Sequence, residues 1–466
     1  MKFKDYKLDK DLLQAINKMG YKETLEVQEK VIPHILKKKD VIIKSKTGSG
    51  KTASFLVPIM NDIDFEDNKP SALILTPTRE LAIQIKEVAS NLGVYKKLKT
   101  VSIYGRAPFK DQITDLKQRT HIVSGSIGRV LDMIQRGHLD LSQIKYVVID
   151  EADEMFKMGF IEKLTEILSY IPNEHTTILC SATFNDKILE IQDNYMKLDH
   201  VFVEIESEDP KIDQKFYEVY EEDKMLYLDT ILATLNIESA IVFSNYQATV
   251  DRIYNHLDRK GVAVTMIHGA LDQKVRIYNL NDFSKGKFRV LVATDIAARG
   301  LDIDEVGHII NFDMPTDTDI YTHRIGRSAR VDNSGVAISF VTKNDKDMLK
   351  KLDKEISEFE YSLDSKKNLS KLSKSLKTKN DKFAGIKSTV FKVYMNGGKS
   401  KKIRPTNIVA AICDIDGVTA EDIGVISVQD NQSYVDILNG KGKLVVAGLR
   451  KSGVKGKKLK IQEANK

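Results

Sequence analysis

The stretch VIIKSKTGSGKT, residues 41–52, decides how this chain is read. Three β-branched apolar residues, Val41, Ile42 and Ile43, give way to a glycine-containing turn through Ser45, Thr47, Gly48, Ser49 and Gly50, followed by Lys51 and Thr52. A buried strand that ends in such a turn and feeds a helix presents backbone N–H groups to phosphate oxygens. Lys51 is then the residue that reaches the outer phosphates, and the Thr52 hydroxyl is a magnesium ligand. The strict pattern opens on glycine where this chain has Ser45, so the loop alone leaves a chance match open. A second stretch, YVVIDEAD at 146–153, supplies the partner. It is an apolar run that ends in acids, which places Asp150 to hold Mg2+ through water and Glu151 to orient an attacking water. Helix N-termini commonly collect acids, but that does not explain their partnership with a phosphate loop.

Working outward, short apolar runs alternate with helical patterns at 41–44, 72–76, 101–104, 121–125, 146–150 and 176–181. A second series follows at 240–244, 263–268, 289–294, 308–313 and 336–341. Continuous rather than alternating apolar runs are those of parallel strands buried on both faces, and the spacing leaves room for crossover helices. The fold class is therefore α/β, with two doubly wound parallel-sheet domains at 1–206 and 207–361. The join is expected in ESEDPKID, 206–213, an acidic segment with Pro210. Residues 362–385 are rich in Ser and Lys and read as a basic linker; Leu363, Leu369, Leu372 and Leu376 also fit a weakly amphipathic helix. From 386 to 466 the pattern is β-α-β-β-α-β, the ferredoxin-like α+β order that RNA-recognition modules share without its being specific to them.

Charge follows this division. The net charge is +6, yet residues 362–466 carry 22 Lys plus Arg against 9 Asp plus Glu, which leaves −7 for the remainder. A basic tail on an acidic body points to a polyanionic partner. The two cysteines, Cys180 and Cys413, fit neither a zinc spacing nor a disulfide framework, and a reducing cytoplasm is the expected compartment. No run of 18 apolar residues occurs and the start alternates charged with apolar residues, so neither a membrane span nor a signal peptide is expected.

With these residues in view, the chain resembles the DEAD-box RNA helicases. The likeness rests on SKTGSGKT at 45–52 and DEAD at 150–153, then PTRELA (77–82), SAT (181–183), QKVR (273–276), ATDIAARGLD (293–302) and HRIGRSAR (323–330), all in family order. The resemblance implies two tandem RecA-like domains, ATP with Mg2+, and RNA as partner. Gln28 in GYKETLEVQ matches the glutamine that reads adenine, and a carboxamide can bond both N6 and N7. Thr24 stands near the place of the family's usual proline. Phe3 lies where the family has an aromatic that stacks on the base, and Asp302 matches its ribose-contacting acid. Arg327 and Arg330 match the arginines that reach the γ-phosphate across the cleft; spaced three apart, they would share one side of a helix. Such arginines contribute roughly 10³–10⁵ in rate in phosphoryl transfer.

The resemblance also implies an RNA path that grips sugar and phosphate. Its candidates are Pro77, Thr78, Arg79, Gly105, Gly128 and Arg129 in the first domain, with Gly269, Gln273, Arg276, Thr294 and Gly300 in the second. Most of these, the glycines above all, are also ordinary turn formers. Two departures fall on this path: SIGR at 126–129 where the family has TPGR, and Gly105-Arg106 where it has two glycines. Closure of both domains on ATP and RNA would bend one strand and separate a short duplex locally.

The tail resembles the C-terminal domain of DbpA-type helicases through NGGKSKKIRPTNIVAAICDIDGVTAEDIGVISV, 396–428. That likeness implies tethering to large-subunit (23S) ribosomal RNA during ribosome assembly. Lys399, Lys401, Lys402 and Arg404 are the candidates for the grip, with Lys455, Lys457 and Lys458 next; Tyr394 and Tyr434 could stack on bases or pack in the tail's core, and the core is the favoured reading because tyrosines on strands usually pack there. The alternative is a cold-shock-type helicase or chaperone with broad RNA targets. An RNA clamp with a dead motor is disfavoured by intact Lys51, Asp150, Glu151, Arg327 and Arg330, and no DNA partner is expected. A monomer is expected.

Overall fold

The computed structural model describes residues 1–45, 48–184, 186–205, 212–235, 237–295, 306–328, 335–356, 376 and 383–464. Thr47, Gly300, Asp302, Arg330 and nearly all of the expected linker lie outside the described residues. The chain divides into two compact units, Met1–Glu206 with Lys382–Lys466, and Ser207–Asp381.

The first unit is built on seven strands: β1 (Val41–Lys44), β2 (Ala72–Thr76), β3 (Thr100–Ile103), β4 (Ile122–Ser126), β5 (Tyr146–Ile149), β6 (Thr176–Ser181) and β7 (Val201–Glu204). They lie in the order β3-β4-β2-β5-β6-β1-β7, every pair parallel. Because successive side chains point to opposite faces, each apolar run serves two cores. Val41 and Ile43 enter one core with Val31, Phe55 and Ile85. Ile42 enters the other with Val130, Met155 and Leu164. Helices thus cover both faces, and the strand ends that carry the motifs are left at one edge.

The second unit repeats the plan with β8 (Ile212–Glu218), β9 (Ala240–Phe243), β10 (Val264–Ile267), β11 (Val290–Ala293), β12 (His308–Asn311) and β13 (Gly335–Val341). Its order is β10-β11-β9-β12-β13-β8, again all parallel. Two strands, β7 and β8, escape the sequence pattern, and β8 opens inside the segment read as the join. Both are edge strands with mixed burial. An edge strand needs no continuous apolar run and carries charges that blunt its free side.

The tail comprises β14 (Phe391–Met395), helix Pro405–Cys413, β15 (Ile423–Val428), β16 (Ser433–Ile437), helix Gly442–Ser452 and β17 (Ile461–Glu463). The antiparallel order β15-β16-β14-β17 is the ferredoxin-like arrangement read from the sequence. Its own core gathers Val393, Met395, Ile408, Val435 and Leu449. Phe383, Ile386 and Leu438 instead join the core of the first sheet. No helix among the described residues is long and apolar enough to cross a membrane.

Candidate active site and nucleic-acid interface

Beyond β1 the chain turns through Gly48 and Gly50, whose φ values are 81° and 93°. Glycine is required at Gly50 twice over. The left-handed backbone disfavours a side chain, and a Cβ there would meet Leu25 Cδ1 at 2.6 Å and Gln28 Nε2 at 2.9 Å. Helix Lys51–Asp62 starts directly after it, so the loop stands at a helix N-terminus, where N–H groups and the macrodipole favour anions. Lys51 is buried at 9% exposure and its Nζ donates to the Ser45 carbonyl at 2.6 Å. The Ser45 and Ser49 hydroxyls lie 2.9 Å apart, and Ser45 N–H donates to the Ser181 carbonyl, tying the loop to β6. Thr52 is half-buried in the first helical turn. Gln28 Oε1 accepts from Leu25 N–H at 3.0 Å, and Nε2 donates to the Gly50 carbonyl at 3.3 Å. The carboxamide therefore ties the start of helix Glu26–Leu36 to the glycine turn.

Phe3 sits elsewhere than expected. It is 3% exposed, stacks on Tyr21 at 6.2 Å between ring centroids, and belongs to the first sheet's core. Burial of a large aromatic outcompetes an open perch, and no ring face is left to take a base in this conformation.

The DEAD segment closes the other side of the loop. Asp150, at the end of β5, is 3% exposed. Burial pushes its carboxyl above the usual range, the Lys51 ammonium opposes this, and Glu151 N–H donates to Asp150 Oδ1 at 3.1 Å. Glu151 has φ 54° and stands at the N-cap of helix Ala152–Lys157. A non-glycine residue held there is strained, a condition that clusters at functional sites. Asp153 accepts from Thr183 N–H at 3.2 Å and from its hydroxyl at 3.1 Å. Ser181 Oγ donates to the Thr183 carbonyl at 2.6 Å. DEAD and SAT are thus one hydrogen-bonded assembly at the ends of β5 and β6.

The first-domain RNA candidates gather at the ends of β2, β3 and β4. Thr78 caps helix Arg79–Leu92, accepting from Leu81 N–H, directly after Pro77. The Arg79 guanidinium lies against Gly105, 3.5 Å from where a Cβ would be. Arg129 donates to the Ala107 carbonyl and Gln112 Oε1 at 3.4 and 3.3 Å, and Gln112 bonds both backbone groups of Tyr104. Gly128 has open space where a Cβ would stand. The SIGR departure has a local compensation: Ile127 is fully buried at the first position of helix Ile127–Gln135, trading proline's fixed φ for apolar packing.

In the second unit, Gln273 and Arg276 are buried at 5% and 6% exposure, Thr294 is buried after β11, and Gly269 lies close to the Gln247 amide. Helix Thr318–Ile325 ends before Arg327, which is half-buried, so the helical spacing expected for Arg327 and Arg330 does not hold at Arg327. Its preceding neighbour in the motif, Arg324, was missed by sequence reasoning. Arg324 is 2% exposed. It grips Asp295 with two nitrogens, at 2.5 and 2.8 Å. It also donates to Asn311 Oδ1, the Asp313 carbonyl and Asn245 Oδ1, and it lies over the Phe243 ring at 5.2 Å. One guanidinium thereby ties four segments together, a role for which no local sequence signal exists.

On the tail, Lys399 and Lys401 lie in a short 3-10 turn closed by Lys402 at φ 55°. Arg404 is the N-cap of the following helix. All four are exposed. Lys455 and Lys457 extend onto the same turn, donating to the Lys402 and Lys401 carbonyls at 3.1 and 2.7 Å. Tyr394 and Tyr434 depart from expectation. They face each other across β14 and β16 with ring centroids 5.6 Å apart, half-buried, on the face opposite Val393, Met395 and Val435. Strand alternation puts them off the core.

Comparison with known proteins accounts for the whole assembly. Residues 25–191 match the DEAD/DEAH box helicase family, 223–332 the helicase conserved C-terminal domain, and 392–463 the DbpA RNA binding domain. The ATP-dependent RNA helicase DbpA of Bacillus subtilis (strain 168) is 43% identical, with 100% of this chain and 99% of that one covered. The DEAD-box ATP-dependent RNA helicase CshA of the same organism is 42% identical over 75% of this chain and 72% of its own. Among solved structures, S. cerevisiae Dbp5 bound to RNA and ADP BeF3 superposes with a TM-score of 0.69 at 29% identity, covering 80% of this chain and 99% of that one. Mss116p bound to ssRNA and AMP-PNP gives 0.68 at 27% identity, covering 78% and 80%. The chain belongs to the DEAD-box ATP-dependent RNA helicases, RNA-stimulated ATPases, and among them to those that carry a DbpA RNA-binding domain.

Proposed function

We propose that this helicase is tethered by its tail to large-subunit ribosomal RNA during ribosome assembly and separates short duplexes beside the tether. The observation that carries the reading is the exposed turn with Lys399, Lys401 and Lys402, buttressed by Lys455 and Lys457, on a domain matching the DbpA RNA binding family. Linking a motor to a binding module raises its local concentration without new motor contacts.

The roles at the ATP site are read from the motifs, with the geometry at Lys51, Asp150 and Glu151 in support. Lys51 and the turn at 48–52 hold the phosphates. Magnesium suits this donor set: Asp150 is a buried carboxylate raised by desolvation and opposed only in part by Lys51, and Thr52 adds a hydroxyl. These two residues would hold the ion, which supplies charge neutralisation on the phosphate oxygens. Glu151, held at the strand end by its strained backbone, orients the attacking water. Arg327 and Arg330 supply positive charge to the transferring phosphoryl group. Gln28 reads adenine, and Asp302 takes the ribose. RNA is gripped through Arg79, Arg129 and the N–H groups at Gly105 and Gly128, with contacts to 2′-hydroxyls selecting RNA over DNA.

ATP turnover measured with poly-U and with a large-subunit rRNA fragment, in the parent protein and in a Lys401→Glu, Lys402→Glu variant, tests the tether. Preferential stimulation by the rRNA fragment at low concentration, lost in the variant, is expected. Equal stimulation of both proteins by both RNAs would favour the second reading, a helicase of broad target range.

A further inference from the structure

The chain leaves the first unit after Glu206 and returns to it at Lys382, so the tail follows the second unit in sequence and belongs to the first in space. A short strap makes the return. Phe383 and Ile386 lie on one side of the single helical turn Ala384–Lys387. They are 3% and 0% exposed and share one core with Leu12, Ile16, Leu92 and Tyr95 of the first domain. Val390, at the far end of the strap, packs against the same core.

Polar contacts fix the strap's register. The Tyr95 and Thr389 hydroxyls meet at 2.9 Å, and the Lys387 ammonium pairs with Glu87 at 2.8 Å while lying over the Phe383 ring. Between these anchors the chains approach closely. A Cβ on Gly385 would meet the carbonyl oxygen of Lys18, the last residue of helix Lys10–Lys18, at 2.4 Å. A packed backbone atom cannot yield as a side-chain tip can, so strap and helix are fitted to each other at this point.

The folded body of the tail is held to the same domain by a second set of contacts. Leu438, just after β16, is 3% exposed in the first domain's core. Gln118, in the connection leading to β4, pairs its carboxamide both ways with one residue of β15: Nε2 donates to the Val428 carbonyl and Oε1 accepts from Val428 N–H, each at 3.0 Å. This is the pairing a neighbouring strand would make. Lys97 Nζ donates to the Ala420 carbonyl at 2.9 Å, and the Lys110 ammonium lies 3.2 Å from Asp430 Oδ2. Apolar burial is non-directional, whereas these hydrogen bonds demand one orientation.

We infer that the first domain carries a docking groove for its own chain, filled by the strap at 383–390, and that the tail is thereby anchored to the domain that holds the phosphate loop. The basic turn at 399–402 then keeps a fixed distance from that loop through the nucleotide cycle, and the second unit moves without it. The anchoring holds whichever RNA the tail grips.

The full chain tests this with its own thiol. Cys413, exposed at the end of the tail's first helix, takes a fluorophore, while Cys180 is buried. Glu174→Cys in the first domain or Asp258→Cys in the second, both exposed positions, takes the other. Adding AMP-PNP and oligouridylate is expected to leave energy transfer between Cys413 and position 174 unchanged and to alter it between Cys413 and position 258. A change in the first pair would overturn the inference. Hydrogen exchange tests the strap without any label. Lys387 N–H donates to the Phe383 carbonyl at 2.8 Å and Thr389 N–H to the Ile386 carbonyl at 3.0 Å. Exchange at these amides is expected to be at least about a hundredfold below the free-chain rate, and exchange at the free-chain rate would overturn the inference. Alanine favours a free helix over glycine, yet Gly385→Ala is expected to speed strap exchange about tenfold because of the Lys18 carbonyl. Unchanged or slower exchange in that variant would show a strap that is not fitted to the first domain, and the inference would fall.

Discussion

Asp150 and Asp313 occupy like positions, each just beyond a central strand of its parallel sheet, and their environments are opposite. Asp313 accepts from Lys224 Nζ at 2.9 Å, Ser244 Oγ at 2.6 Å and Asn245 N–H at 3.2 Å, and these partners hold its carboxyl below the usual range despite burial. Asp150 has the Lys51 charge and one backbone N–H, and its carboxyl stays above that range. The second sheet is self-satisfied: Lys224, Asp313, Asn245 and Arg324 form one network. The first is built to be completed from outside. The same scaffold holds a closed hydrogen-bonded network around Asp313 in one unit and a buried carboxyl with few protein partners at Asp150 in the other, the kind of perturbed group that clusters at functional sites.

The contrast can be broken by removing the hub. Arg324→Ala leaves Asp295 and three further acceptors without their cation, and loss of one partner from a buried network costs about 3–5 kcal/mol. Thermal denaturation should show the second unit melting early while the first is unmoved. Gly50→Ala should act the other way. A forced φ of 93° and the clash with Leu25 and Gln28 cost about 1–3 kcal/mol, and nucleotide affinity, read by equilibrium titration, should collapse with it. A pH series sharpens the comparison further. Since the Asp313 pKa is depressed on folding, its contribution is present above the unfolded value near 4 and is lost as pH falls through the folded value. Acid unfolding followed by domain-specific probes should show Asp313→Asn flattening that loss in the second unit only. The smallest effect is expected at the RNA path: Ile127→Pro restores the family residue at a helix position that suits proline but empties a buried site, a net cost of about 1–2 kcal/mol.

Much of this was legible in the sequence because it was local. Continuous apolar runs marked the central strands, and the motifs marked Lys51 just beyond β1 and Asp150 and Glu151 just beyond β5, the two strands that flank β6. The edge strands β7 and β8 lacked that signal because only one of their sides is paired. Arg324 looked like any arginine of HRIGR, since its five hydrogen bonds come from distant segments. The pairing of Gln118 with Val428 joins residues 310 apart and leaves no trace in either stretch. Tyr394 and Tyr434 were misassigned because an aromatic on a strand fits either face, and only the register with neighbouring strands decides which.

The central claim is that Glu151 performs hydrolysis on a phosphate loop which otherwise only binds. Glu151→Gln keeps the shape of the side chain and removes its charge. ATP turnover and ATP-dependent RNA binding measured on that one variant test the claim most directly. The account predicts turnover reduced about 10²–10⁴-fold, with RNA binding in the presence of ATP retained or prolonged. Turnover at the parent rate would contradict it.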